Sequence, residues 1–291
     1  MTAEGLTAGD IDDPPSEATE GILRRSSLSV PIQFSATLAP LDGVAELTSD
    51  TVGRDGGSRD AIALLASDFA EYYCKGPSLT AGHPYIGANE HLAGRLARLA
   101  GLPCRNVELI SWGGQLFAGS QLLAHDRKMT GPLTPDTWSR LVNAPDVAYD
   151  VAAFDVWILN EDRHDRNWLG GVVAPNHGMF LAMDHDLSLL GQGRSAADLV
   201  GRAGEPASNG FVRAGVIRDS IVDEGRLRAA VTDIQRVDDR SIQVAIGQLP
   251  DEWVGREERL ALYEVLRIRR DRLWDLLQGA PASVFPKLVR V

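Results

Sequence analysis

The chain has 291 residues, 44% hydrophobic and 24% charged, which is enough to bury a sizeable core in one two-lobed domain or in two small domains around a shared cleft. Its formal net charge of −11 repels a phosphate backbone. The one basic cluster, Arg267, Arg269, Arg270 and Arg272, lies among acidic residues and reads as a solvated helix face, so direct nucleic-acid binding is not expected.

Two cysteines, Cys74 and Cys104, make neither a disulfide framework nor a metal knuckle and fit a reducing compartment. No run approaches the ~18 apolar residues of a membrane span, and the acidic N-terminus has no export signal, so the expected location is cytoplasmic. Abundant Ala, Gly and Arg with scarce Lys resemble the usage of a GC-rich bacterial genome.

Residues 1–27 carry Asp, Glu, Pro, Ser and Gly with few apolar anchors and are expected to be disordered or loosely attached. From 28 to 124 the pattern is strand-like with turn breaks. Ser29–Leu38 alternates, Asp55-Gly56-Gly57-Ser58 signals a turn, and Ala61–Leu65 and Phe69–Lys75 favour strands. Asn89–Ala100 turns helical, with Leu92, Leu96 and Leu99 on one face and a stop at Gly101 and Pro103. Val107–Ile110 and Gln115–Leu123 read as strands joined at Gly113-Gly114.

From 125 to 291 helices dominate. Asp136 is placed to cap a helix running toward Leu141, and Tyr149–Leu159 is an apolar helix opening into the polar run NEDRHDRN. Trp168–Val173 and Met179–Met183 flank Asn176-His177-Gly178 as a hairpin, with His177 an exposed turn residue and Trp157 and Trp168 in the core. Gly191–Gly210 reads as a mobile Gly/Ala/Ser-rich loop, and helices are expected over roughly 213–232, 238–247 and 256–278. The predicted architecture is α+β: a small β-rich lobe, then a helical lobe, with a nucleotide cleft between them.

The chemistry concentrates in Asn160–Asn167. Asp162 and Asn167 stand five apart, the spacing of a kinase catalytic loop in which the Asp orients the attacking hydroxyl and the Asn holds magnesium. Phosphoryl transfer asks little covalent help of a protein; it needs positioning and neutralisation of spread negative charge. Asp184 ends a short strand and can reach the metal from the other side, and one carboxylate with one amide oxygen suffices for a cation that keeps its waters and phosphates. Upstream, Lys75 ends a strand and Glu90 opens the next helix, the arrangement in which a Lys steadies the α/β-phosphates and a Glu holds the Lys. Gly56, Gly57 and Ser58 supply a glycine turn before them, and adenine is expected against Gln121 and Leu123 at the lobe junction. Each part is weak alone; their joint order along the chain carries the reading.

The stretch FDVWILNEDRHDRNWL followed by FLAMDHDLSLL resembles the HipA-like kinases and, more loosely, the phosphoinositide lipid kinases. YYCKG and ANEHLAGRLARLAGLP are similar to that family's ATP-lysine strand and the helix after it; the resemblance spans roughly residues 50–190 and is most specific over 157–186. It implies a bilobal protein-kinase-like fold, ATP and Mg2+ as cofactors, Asp162 as catalytic Asp, His164 as a loop organiser, Asn167 and Asp184 as the metal pair and Lys75 as the phosphate contact. It also implies a protein Ser/Thr acceptor, with a small-molecule or lipid acceptor left open. The chain departs from the pattern in three ways. Asp184-His185-Asp186 stands where many kinases have Asp-Phe-Gly, so Asp186 could substitute for Asp184; the Gly53–Ser58 segment is not a standard kinase loop; and the first 27 residues do not look like the N-terminal module of a full-length HipA toxin. Two alternatives stand beside this reading. One is a metal-dependent phosphohydrolase using His164-Asp165 and Asp184-His185-Asp186, which would need four or more converging His/Asp ligands. The other is a catalytically silent nucleotide-binding protein.

Overall fold

Short apolar runs separated by turns curl the first part of the described chain into a barrel. The structure, a computed structural model, describes residues 39–47, 61–76, 83–123, 128–208, 210–211 and 213–289. The expectations for residues 1–27, for a strand at Ser29–Leu38 and for the glycine turn with Gly56, Gly57 and Ser58 fall outside these. All described residues belong to one compact unit.

Strands β1 (Leu41–Glu46), β2 (Ile62–Ala66) and β3 (Glu71–Lys75) pair antiparallel in sequence. β3 then pairs β5 (Gln115–Gln121), which forms a hairpin with β4 (Val107–Trp112). β4 returns beside β1 in parallel, Leu41 opposite Ile110, and closes the sheet in the order β1-β2-β3-β5-β4. The expectation of a small sheet with one helix is met, but the sheet is a closed barrel rather than an open kinase-type sheet. Closure leaves no free edge, and the inward residues Leu64, Ala66, Tyr72, Cys74, Ile110 and Phe117 fill the interior as one core.

Helix α1 (Ile86–Leu99) packs against β3, β4 and β5. Its Leu92 and Leu96 are buried as the periodicity predicts, whereas Leu99 is exposed. Gly94 permits the close approach: a Cβ there would lie 2.7 Å from Val107 Cγ2.

The chain enters a second sheet at β6 (Lys128–Met129), which pairs β7 (Trp168–Ala174), itself in a hairpin with β8 (His177–Ala182). Helix α2 (Pro135–Ser139) is capped by Thr134, whose hydroxyl accepts from Thr137 N at 3.1 Å; Asp136, expected to cap, lies inside the first turn. Helix α3 (Asp146–Trp157) is apolar on nearly every face and lies at the centre of the helical lobe, as such a helix must. Around it come α4 (Ala196–Gly201), α5 (Gly215–Ser220), α6 (Glu224–Gln235), α7 (Asp239–Gly247), α8 (Arg256–Asp271) and α9 (Leu273–Gln278), of which α5, α6, α8 and α9 contact α3 directly. Among the described residues no helix is long and apolar enough to cross a membrane.

Two further expectations fail for physical reasons. The segment 191–210 contains α4, which a capping box of Ser195 and Asp198 starts; its small residues obscured that signal. The basic cluster is not a uniformly solvated face. Arg269 is fully buried and donates to the carbonyls of Val156, Trp157, Arg202 and Glu205 at 2.6–3.2 Å, and Arg270 is buried against Val237 O at 2.8 Å. Arg269 thus satisfies the carbonyls left over at the C-terminus of α3 and adds a favourable charge there. Replacing it with Leu leaves those acceptors without donors and is expected to cost about 2–4 kcal/mol in urea unfolding. Arg267→Ala, which removes a partly exposed pair with Glu264, is expected to cost less than about 1 kcal/mol in the same measurement.

Candidate active site

The site is organised around one buried arginine. Beyond α3 the chain turns through Leu159, whose φ of 55° is unusual for a leucine, and Asn160 bonds back to Asp155 through both its backbone and its side-chain amide, each at 2.8 Å. Asp155, in the last turns of α3, receives Arg163 in a two-pronged pair, Nε to Oδ2 at 2.9 Å and Nη2 to Oδ1 at 3.0 Å, with both side chains fully buried. The third nitrogen, Nη1, donates to Asn167 O at 2.5 Å and to Met183 O at 2.8 Å. A single guanidinium therefore joins the end of α3, the loop 160–167 and the end of β8, and its full set of acceptors offsets the cost of burying the charge pair.

This tie holds the backbone of Asn167 beside that of Met183, the residue before Asp184. Asn167 donates through Nδ2 to Asp162 O at 2.7 Å, so its amide oxygen is the end left for a cation, and Asp162 Oδ2 lies 3.5 Å from the same nitrogen. The Asp162 carboxylate is 31% exposed. His164 Nδ1 accepts from Arg166 N at 3.1 Å, which puts its proton on Nε2, 3.9 Å from Asp162 Oδ2. The ring braces the loop and does not point into a ligand cluster.

Asp184 follows Met183 with φ at 62°, a left-handed turn that Asp tolerates better than most residues. That turn presents its carboxylate to Lys75, which comes from β3 in the barrel. Lys75 Nζ also donates to Asp186 Oδ2 at 2.9 Å and lies 3.8 Å from Glu90 Oε2. Burial alone would lower the Lys75 pKa, but Asp184, Glu90 and Asp186 outweigh it and hold the ammonium well above its ordinary value. Burial pushes Asp186 up to about 7 against the pull of Lys75, with Asp184 and Glu90 adding to the rise. Burial likewise opposes ionisation of Asp184, yet Lys75 keeps its pKa below the usual value. His185 points away, edge-on to Phe154 at 5.7 Å, and burial holds it neutral, well below its usual value.

Glu90 keeps the expected ion pair with Lys75 at 3.8 Å and has hydrogen-bond partners besides. Its Oε1 accepts from Ser120 Oγ at 2.9 Å and its Oε2 from His185 N at 2.8 Å, while Asn89 donates through Nδ2 to Asp186 O at 2.8 Å. The start of α1 thus grips the Asp184-His185-Asp186 turn. At the lobe junction the structure separates the two adenine candidates. Gln121 stays in the barrel, its carbonyl taken by Arg105 Nε at 2.6 Å and its N–H by Asn106 O at 2.8 Å. Leu123 reaches Gly171 of β7, where an added Cβ would lie 3.8 Å from its Cδ1 and 3.6 Å from Leu181.

Sequence reasoning missed Asp155, Arg163, Asn89 and Ser120. A signal existed for the first: a carboxylate repeated within an otherwise apolar helix demands a buried partner. It also missed Glu161, which ties the loop to Arg194 at 3.3 Å and Arg202 at 3.0 Å, so the segment carrying α4 is fastened beside Asp162.

No family model matches the chain, and no curated protein matches it in sequence. Solved structures do. The Helicobacter pylori proinflammatory kinase CtkA superposes with a TM-score of 0.60 at 14% identity, over 82% of this chain and 96% of that one. HipA of Shewanella oneidensis MR-1, in its toxin–antitoxin complex with HipB and operator DNA, aligns at 13% identity and a TM-score of 0.45, over 94% of this chain and 73% of that one. The golgi casein kinase aligns at 10% identity and 0.43, over 92% and 76%. The latter two fits are too loose to argue from, and CtkA speaks to fold alone. In fold, the chain is similar to the kinase CtkA.

Proposed function

We propose that the chain is an ATP- and magnesium-dependent phosphotransferase of HipA-like type, passing a phosphoryl group to a protein Ser or Thr hydroxyl. The observation that carries this reading is the convergence of Lys75 from the barrel with Asp184 from the helical lobe, while Arg163 Nη1 bonds both Asn167 O and Met183 O and so keeps the Asp162–Asn167 loop beside them.

The donor set suits the cofactors. An Asp carboxylate and an Asn amide oxygen are the hard ligands magnesium takes, and a buried ammonium suits a phosphate oxygen. Magnesium, when bound, neutralises and orients the phosphates. The chain's own part is then positional: Lys75 steadies the α/β-phosphates, Asn167 and Asp184 hold the metal, Leu123 with Gly171 and Leu181 borders the adenine, and Asp162 orients the acceptor hydroxyl and takes its proton. The catalytic-loop resemblance favours a protein acceptor; a lipid or small-molecule acceptor would use the same machinery.

The phosphohydrolase alternative loses its support. His185 faces Phe154, and among the described residues no group of three or more His, Cys, Asp or Glu is arranged to hold a metal ion.

Asp162→Ala is expected to lower transfer from labelled ATP, read as autophosphorylation or as label on a generic protein substrate, by at least about 100-fold. Its ATP affinity by calorimetry should stay within about threefold. Near-wild-type transfer in this variant would remove Asp162 from its role. Chelation of magnesium should bring wild-type transfer to background, and Asp184→Asn should raise the magnesium needed for half-maximal transfer by about tenfold or more. Phosphate release from an aryl phosphate with manganese and no ATP would instead favour the hydrolase.

A further inference from the structure

The kinase arrangement read from the sequence gives Glu90 the task of holding Lys75. The hydrogen bonds divide the work otherwise. Both Glu90 oxygens have other partners, Ser120 Oγ at 2.9 Å and His185 N at 2.8 Å, and Lys75 Nζ stands off at 3.8 Å. Asp186 accepts directly from Lys75 at 2.9 Å. Its backbone is pinned as well, since its carbonyl accepts from Asn89 Nδ2 at 2.8 Å and Asn89 Oδ1 accepts from Leu190 N at 3.3 Å. Asp184, the remaining partner, is the more open of the two aspartates, 27% against 12% exposed.

We propose that Asp186 is the residue that positions Lys75 for nucleotide, and that Glu90 instead fastens the Asp184-His185-Asp186 turn to helix α1. The inference deepens the reading given above and rests on it for the role of Lys75. Its logic is a division of ligands. One ammonium cannot neutralise three carboxylates, and the proposed reaction asks Asp184 for an oxygen toward magnesium, so Asp184 is the exchangeable partner. A lysine on a flexible four-carbon stem then needs an anchor that stays when Asp184 is called away. Asp186 meets that need: it is buried, directly bonded, and fixed at both carboxylate and carbonyl. Where the Asp-Phe-Gly pattern has glycine at this position, no side chain is present to do this, so the Asp at 186 is where this chain departs from the common arrangement in chemistry as well as in sequence.

The chain has only three lysines, Lys75, Lys128 and Lys287, so the side-chain ammonium signal of Lys75 in a nitrogen-15 spectrum can be assigned by single substitutions. In the ligand-free protein a buried, hydrogen-bonded ammonium exchanges slowly and is visible. Asp186→Asn is expected to abolish that signal by exchange broadening, Asp186→Glu to keep it, and Glu90→Gln to keep it while lowering the melting temperature more than Asp186→Asn does. Calorimetry with ATP and magnesium should show Asp186→Asn binding about tenfold more weakly than wild type, with Asp186→Glu recovering most of the loss. A retained Lys75 signal with unchanged ATP affinity in folded Asp186→Asn overturns the proposal, as does loss of the signal in Glu90→Gln alone. If Asp186→Asn does not fold, Glu90→Gln decides: loss of the Lys75 signal there overturns the proposal, and retention, with the rival carboxylate gone, supports it. A wild-type chain that binds no ATP defeats the functional reading, while the ligand-free spectra still decide which carboxylate holds Lys75.

Discussion

The buried pair of Asp155 and Arg163 is the constraint on which the rest of the site depends. A guanidinium offers donors in a rigid plane, and here Nε and Nη2 are spent on one carboxylate while Nη1 reaches two carbonyls on separate segments. A lysine could supply charge at this place but not the fixed fork. Because both partners are dry, the pair contributes little net stability over an apolar substitute; what it supplies is geometry, because Asn167 and Met183 are bonded to one atom and cannot drift apart independently.

A second set of bonds connects this rigid centre to the barrel. Lys75 and Ser120 come from β3 and β5, Asn89 and Glu90 from the first turns of α1, and all four reach the Asp184-His185-Asp186 turn directly or through Glu90. The turn is the common partner of both lobes. Its left-handed Asp184 sends the carboxylate outward to Lys75 while His185 goes inward to Phe154. A backbone in that region has a conformational cost, and the hydrogen bonds to Glu90, Asn89 and Arg163 around it are what hold it in place.

Buried arginines recur as a device in this chain. Arg163 gathers loop carbonyls, Arg269 gathers those at the end of α3, Arg105 those of Ser120 and Gln121, and Arg259 those of Ile246 and Leu249. Each stands where backbone acceptors would otherwise be buried without donors, a cost of the order of a hydrogen bond apiece. Burial carries its own electrostatic signature: desolvation lowers the pKa of Arg105 to about 10 and of Arg269 to about 9.

The local elements were legible in the sequence because they depend on short-range rules. Leu92 and Leu96 at helical spacing marked α1, the turn at Asn176-His177-Gly178 marked the β7–β8 hairpin, and the motif order named Lys75 and Asp184, which meet, and Asp162 and Asn167, which bond each other. The sequence could not say which carboxylate meets Lys75, because Glu90, Asp184 and Asp186 differ by Å-scale placement, not by chemical type. Nor could it close the barrel, since the parallel pairing of β1 with β4 joins residues far apart in the chain, or bury Arg269, whose neighbours along the helix are as polar as those of a solvated face. Residue type and spacing determined which groups were available. Only long-range packing, which decides which backbone acceptors lose their water and must find a donor, determined how those groups were paired.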